Sequence, residues 1–158
     1  MTNITVRDSF EPKLSHQDIE RAEHRLKITL PTDYKEFLLT HNGGRLEPNR
    51  FPIRSNRSDT HGILNWLFGV REHGQYSLVD EAMRFQGRVP PDLLPIGEDP
   101  GGNLICLAIA GPNRTRIYFW THEEEVDEDE TPGYDNVYFV ANSFTDLLER
   151  LTEFPRSK

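Results

Sequence analysis

A chain of 158 residues fits one domain and is long enough to bury about 70% of its unfolded surface, so a sizeable core is expected. Its net charge of -8, from 18 basic and 26 acidic residues, argues against nucleic acid or anionic membrane as partners, since both need clustered Lys and Arg. No segment approaches the roughly 18 apolar residues of a membrane span, and the start, MTNITVRDSF, lacks the basic and apolar regions of a signal peptide, so a cytoplasmic location is expected.

The first predicted helix has Ser15 as its cap, Asp18 three residues later, and Leu14 and Ile19 at the two positions of a hydrophobic staple. Ile19, Ala22 and Leu26 form its buried stripe. A second helix follows a short connection around Ile28 to Leu30. Pro31 suits the first helical position, Asp33 and Glu36 favour the positive end of the dipole, and Asn42-Gly43-Gly44 closes the helix. Tyr34, Phe37, Leu38 and His41 fall on one face.

Residues 45 to 60 are polar, and an edge strand is expected near Phe51 to Ile53, followed by a mobile loop from Arg54 to Thr60. Ile63 to Val70 reads as a buried strand, with a short helix as the alternative. Tyr76 to Gln86 reads as a helix capped by Ser77 with Asp80, with Leu78, Ala82 and Phe85 on one face and Gly87 at its end. Val89-Pro90-Pro91-Asp92 is then an extended or turning linker. Leu104 to Ala110 and Arg116 to Thr121 are strands of a hairpin, in which Ile117 and Phe119 face one way and Tyr118 and Trp120 the other. Cys106, the only cysteine, lies in an apolar run and reads as a buried small hydrophobe; no internal disulfide or cysteine-rich zinc site can form. Val137 to Val140 is a short strand. Ser143 with Asp146 caps a final helix whose inner face is Phe144, Leu147, Leu148, Leu151 and Phe154. Short turns between neighbouring strands favour antiparallel pairing. The expected class is α+β, one domain over residues 1–158 with helices packed on a mixed or mainly antiparallel sheet.

Several motifs occur in a fixed order: the amphipathic helix ending in Leu26-Lys27-Ile28, the run LPTDYKEFLLTHNGG from Leu30 to Gly44, and Leu94-Pro95-Ile96-Gly97-Glu98-Asp99 with Gly102-Asn103. The C-terminal Val140-Ala141-Asn142-Ser143-Phe144 with Leu147-Leu148 completes them. Together they resemble the SUKH superfamily, Smi/Knr type, over roughly residues 14 to 154. The resemblance implies an immunity protein that binds and silences a cognate polymorphic toxin, often a nuclease, or in eukaryotic members a regulatory interaction domain. It brings no catalytic motif, and no catalytic, metal-binding or cofactor-binding residue is assigned.

The sharpest local feature is Glu123-Glu124-Glu125-Val126-Asp127-Glu128-Asp129-Glu130, seven acids in eight residues with no Lys or Arg. Outside that window 18 basic residues stand against 19 acidic ones, so the acidity is one local patch. It can occupy the basic cleft of a partner, extend into solvent through self-repulsion, or capture a divalent cation, although calcium needs a turn glycine that this run lacks. Glu98 and Asp99 precede Pro100-Gly101-Gly102-Asn103, which reads as a turn into the strand at Leu104; it lacks the lysine and helix of a phosphate loop, and its two acids can sit at a recognition rim. Trp66 and Trp120 are candidate hot-spot anchors, with half-buried sheet aromatics as the alternative. The six histidines never fall at HxxxH spacing, and His122 reads as a surface residue at a strand end. No serine sits in a nucleophile elbow. The expected function is non-enzymatic binding by a monomer of a protein toxin or another protein with a basic surface. A regulatory scaffold and a metal-dependent or acid/base enzyme are the alternatives.

Overall fold

Three helix starts follow directly from local chemistry. In the computed structural model, which describes residues 3–55 and 59–155, α1 (His16–Leu26) begins at Ser15, whose hydroxyl accepts the Asp18 N–H while the Asp18 carboxylate accepts the Ser15 N–H. The expected capping box is therefore present. Ser77 and Ser143 cap α3 (Leu78–Arg84) and α4 (Phe144–Arg150) through the N–H groups of Asp80 and Asp146. Pro31, expected at the first helical position, is instead the cap of α2 (Thr32–Thr40), so the helix starts one residue later than expected.

The strands are β1 (Thr5–Arg7), β2 (Arg45–Glu47), β3 (Arg50–Ile53), β4 (Thr60–Ile63), β5 (Trp66–Leu67), β6 (Leu93–Glu98), β7 (Leu104–Ala108), β8 (Ile117–Trp120) and β9 (Val137–Ala141). The last five form one antiparallel sheet in the order β5-β6-β7-β8-β9, and β1 with β2 and β3 with β4 make two antiparallel pairs. The class is α+β, with helices packed on an antiparallel sheet. Arg54 bridges the β3–β4 pair to Phe139 at the β9 edge. Of the loop expected from Arg54 to Thr60, residues 56–58 lie outside the described residues.

Every residue of β7 is fully buried, because both faces of the sheet are covered. Adjacent residues of a strand point to opposite faces. Trp120 meets Phe85 at the end of α3 at 5.7 Å, while its neighbour Phe119 meets Phe51 of β3 at 6.0 Å. Doubly covered strands read as unbroken apolar runs, as Leu-Ile-Cys-Leu-Ala does. Burial pushes the Cys106 thiol well above its ordinary range, which leaves it inert. At the chain end, Tyr34 and Phe37 of α2 pack on Phe144 of α4, each at 5.0 Å.

Some expected elements change. The run from Ile63 to Val70 is neither a long strand nor a helix; it ends β4, supplies the two-residue β5 and then turns. Phe154 is not on the inner face of the last helix. That helix stops at Arg150 because Thr152 exchanges backbone hydrogen bonds with Arg50 at 3.1 and 2.8 Å, which pulls the chain into extended form and leaves Phe154 56% exposed. β6 is a central strand despite Pro95, which sits where the β6–β7 register shifts between Pro95 and Gly97. A bulge of this kind is where a sheet tolerates proline.

Gly97 is confined by its surroundings: an added Cβ would lie 2.7 Å from the Trp66 carbonyl oxygen and 3.1 Å from Leu64 Cδ1. The backbone neighbour cannot yield cheaply, so Gly97→Ala is expected to destabilise the fold by about 1–3 kcal/mol, the usual cost of overpacking. Urea unfolding checks this, with the loss appearing as a lower midpoint at unchanged slope.

Candidate functional site

The meander brings the β6–β7 turn and the start of the β8–β9 connection to the same end of the sheet. Asp99 organises the turn. One of its carboxylate oxygens accepts the N–H groups of Gly101 (2.9 Å) and Asn103 (2.7 Å), and the other accepts the Asn103 amide at 2.9 Å. Gly102, at φ +87°, supplies the left-handed backbone that only glycine adopts readily. Asn103 then reaches across, its side-chain oxygen accepting the His122 N–H at 3.1 Å, while His122 Nε2 lies 3.0 Å from the Gly101 carbonyl oxygen. Asp99 and His122 thus hold two loops together. His122 is exposed, and among the described residues no histidine joins a cluster able to bind metal.

A 3-10 turn, His122–Glu124, opens the acidic run. The loop that follows has a closed base: Thr121 N–H donates to the Asn136 carbonyl at 3.1 Å, and the buried Asn136 amide donates to the Thr121 carbonyl at 2.8 Å. Two further ties hold its length. Arg88 makes a bidentate pair with Glu125, at 3.1 and 2.8 Å, and its guanidinium also stacks on Phe85, 4.6 Å from the ring centre. The Tyr134 hydroxyl donates to Asp92. Partial desolvation, and then the Asp92 carboxylate, push the Tyr134 phenol up to about 12. The ends lie close together and the residues from Asp127 to Thr131 are exposed, as in an Ω-loop.

Between these ties stand Asp127, Glu128, Asp129 and Glu130, all exposed and without an ion pair among the described residues. Glu123 is exposed in the same way. Asp127, Asp129 and Glu130 place carboxylate oxygens within 4.8 Å of one another. At such separations like charges repel by about 1 kcal/mol per pair even in water, so an approaching cation is favoured. Three exposed carboxylates with no turn glycine among them do not make a calcium loop.

The other singled-out residues are placed differently. Glu98 is half-buried and opposite Trp66 in the sheet. Desolvation, and then the nearby Glu81 carboxylate, raise its pKa above the ordinary range. Asp99 is taken up by its turn. Trp120 is fully buried between β8 and Phe85, so neither reading of it, exposed anchor or half-buried sheet aromatic, describes it. Its indole N–H has no acceptor among the described residues. Glu124 is tied inward through Tyr138, whose hydroxyl donates to it at 2.9 Å. Arg88, Tyr134 and Asn136 shape the site without a sequence signal of their own, since each acts through a partner distant in sequence; Asn103 belongs to the Gly102-Asn103 motif, but its reach to His122 is not visible there.

The sequence model described as the SMI1/KNR4 family (SUKH-1) matches residues 13–150, and the chain belongs to that family. Members of the family include toxin-immunity proteins. The chain is similar to the SPbeta prophage-derived uncharacterized protein YokK of Bacillus subtilis (strain 168), 26% identical over an alignment 158 positions long that covers 89% of this chain and 76% of that protein. A stretch of 34 residues is 53% identical to uncharacterized protein YnaB of the same organism, covering 22% of this chain and 24% of that protein. No helix among the described residues is long and apolar enough to cross a membrane.

Arg88 and Glu125 are partly exposed, so their pair adds little global stability; Arg88→Ala is expected to cost at most about 1 kcal/mol. Its effect is local. Amide hydrogen exchange should accelerate across residues 126–131 while β7 and β8 keep their protection, and equal acceleration everywhere would show that the pair supports the whole fold instead.

Proposed function

We propose that this SUKH-1 protein is a non-enzymatic immunity protein that binds a cognate protein toxin with a basic surface, and that the acidic loop is its main contact. The observation that carries this reading is the row Asp127, Glu128, Asp129 and Glu130, exposed and without an ion pair among the described residues, in a loop tethered at its base and flanks. A chain whose remaining charges nearly balance has one strongly anionic place, and a cationic macromolecule is its natural complement. A toxin that acts on nucleic acid presents such a surface, because phosphate binding requires clustered Lys and Arg. Covering that surface blocks the toxin without any bond being made or broken. The protein works in this reading as a monomer in the cytoplasm, with Glu123, Glu124 and Glu125 flanking the tip, Glu98 and Asp99 behind it, and no cofactor.

Membership of a family that includes toxin-immunity proteins supports the reading. Its test begins with capture of the tagged protein from the cell that makes it and identification of what stays attached. Binding kinetics then decide the surface. Changing Asp127→Asn, Glu128→Gln, Asp129→Asn and Glu130→Gln together is expected to slow association about 10- to 100-fold at low salt, with a smaller change in dissociation. Raising the salt should slow the unaltered protein toward the variant, as screening shortens to about 8 Å at physiological ionic strength. A captured partner whose association ignores both salt and these substitutions overturns the assignment.

A further inference from the structure

Beside the closed base of the acidic loop, Ile53 of β3, Ser55, and Thr60 of β4 stand across from Phe119 of β8 and Tyr138 of β9 and leave a cleft of about 350 Å³. That is at the small end of the range for ligand pockets and suits one large side chain more than an extended molecule. Ile53 and Phe119, both mostly buried, give it an apolar floor. Thr121, Tyr138, Glu124 and Asp135 form a polar rim, and no Lys or Arg is among the described residues that line it. Only one Glu124 oxygen is engaged, accepting from Tyr138 at 2.9 Å and Thr121 at 3.3 Å. The other oxygen and the Asp135 carboxylate have no donor among the described residues, and both side chains are exposed.

We infer that this cleft receives a single basic side chain, lysine or arginine, presented by the protein partner. The chemistry of the two layers selects it. Lysine and arginine bury an aliphatic stem along apolar surface while keeping the charged head solvated, which matches a floor of Ile53 and Phe119 below a rim of two carboxylates. An acidic side chain is repelled by that rim. A purely apolar one fills the floor but gains nothing from Glu124 and Asp135, and covers carboxylates that are better left in water. Thr121 and Asn136 hold β8 to the foot of the loop, so the cleft and the acidic tip are fixed relative to each other through the same short segment. The inference deepens the partner-binding reading and rests on it for where the basic side chain comes from; the cleft's preference for a cation does not.

The test therefore uses small probes that need no toxin. Nα-acetyl-arginine methylamide, Nα-acetyl-lysine methylamide and, as uncharged control, Nα-acetyl-norleucine methylamide are titrated into the full isotope-labelled chain and followed by NMR. At least one basic probe should shift the amide signals of Phe119, Thr121 and Tyr138 with a dissociation constant on the order of 1 mM, as expected for a ligand this small. The norleucine probe should bind at least about tenfold more weakly. Glu124→Gln with Asp135→Asn should weaken the basic probe by a similar factor; Gln keeps an acceptor for Tyr138, and Asp135→Asn alone, which removes no bond to a described residue, serves as the variant that cannot fail through folding. Which basic probe binds more tightly names the head group. Equal binding of norleucine, shifts scattered away from the cleft, or a double variant that binds as before would each overturn the inference. Captured partner binding the double variant unchanged, with the probes still discriminating, would overturn its extension to the partner while leaving the acidic tip standing.

Discussion

The sheet is buried on both faces, and that double burial decides where this protein can carry charge. Trp120 and Phe119 are neighbours in β8, yet each is pressed against a different covering element, Phe85 on one side and Phe51 on the other. Nowhere along β7 is there room for a solvated group. An unpaired carboxylate placed there would cost several kcal/mol or lose its charge. Seven acids concentrate instead in the connection between β8 and β9, which leaves the covered sheet, and the strand pairing on either side fixes where that connection begins and ends.

Fixing the ends of an anionic loop does not fix its course, because its charges drive it outward. The ties do this by unequal means. The Thr121–Asn136 pair is partly buried and closes the base with two hydrogen bonds. The Arg88–Glu125 pair is more exposed and weaker in stability terms, but it is bidentate and stacked on Phe85, so it orients the loop. Asp99 shows the same division from the other side: an acid that in sequence looks available for recognition spends both oxygens on its own turn, and its contribution is the position of His122. A loop already held in place loses less conformational freedom when it is covered, so its field is presented at lower entropic cost.

What was legible in the sequence was whatever acts over a few residues. Ser15, Ser77 and Ser143 each announce a helix because the cap and its acid lie three residues apart. The apolar run of β7 and the turn at Gly102 are local in the same way. The misplaced residues depend on distant partners. Trp120 is buried by Phe85, which lies 35 positions earlier, and Phe154 is released to solvent by a bridge from Thr152 to Arg50, 102 residues away. β6 hid behind Pro95, since only the paired strand reveals the shift in register that accommodates it. β1 and β2 are three residues each, too short for a period to emerge. Of the site, the acidic run was plain because charge is a property of composition; its tethers were not, since Arg88 and Tyr134 are unremarkable until Glu125 and Asp92 are seen beside them.

The proposed steering by the loop and anchoring by the cleft are different physical jobs, and the two places lie at different points of the same segment. Exposed charges act at a distance and are screened by salt, so under the proposed binding role the tip from Asp127 to Glu130 would govern how fast a cationic surface arrives. It offers little grip, because each exposed pair it forms is worth at most about 1 kcal/mol. Retention needs contacts that exclude water, and most differences in affinity between related complexes lie in the rate of leaving. An apolar floor of Ile53 and Phe119 under Glu124 and Asp135 supplies such a contact within the segment that also carries the tip. If both proposals hold, substitutions at the tip would alter how fast a basic partner arrives, whereas substitutions at the cleft would decide which one remains. Specificity can then change through a few residues on β3, β8 and the loop base while the covered sheet stays as it is.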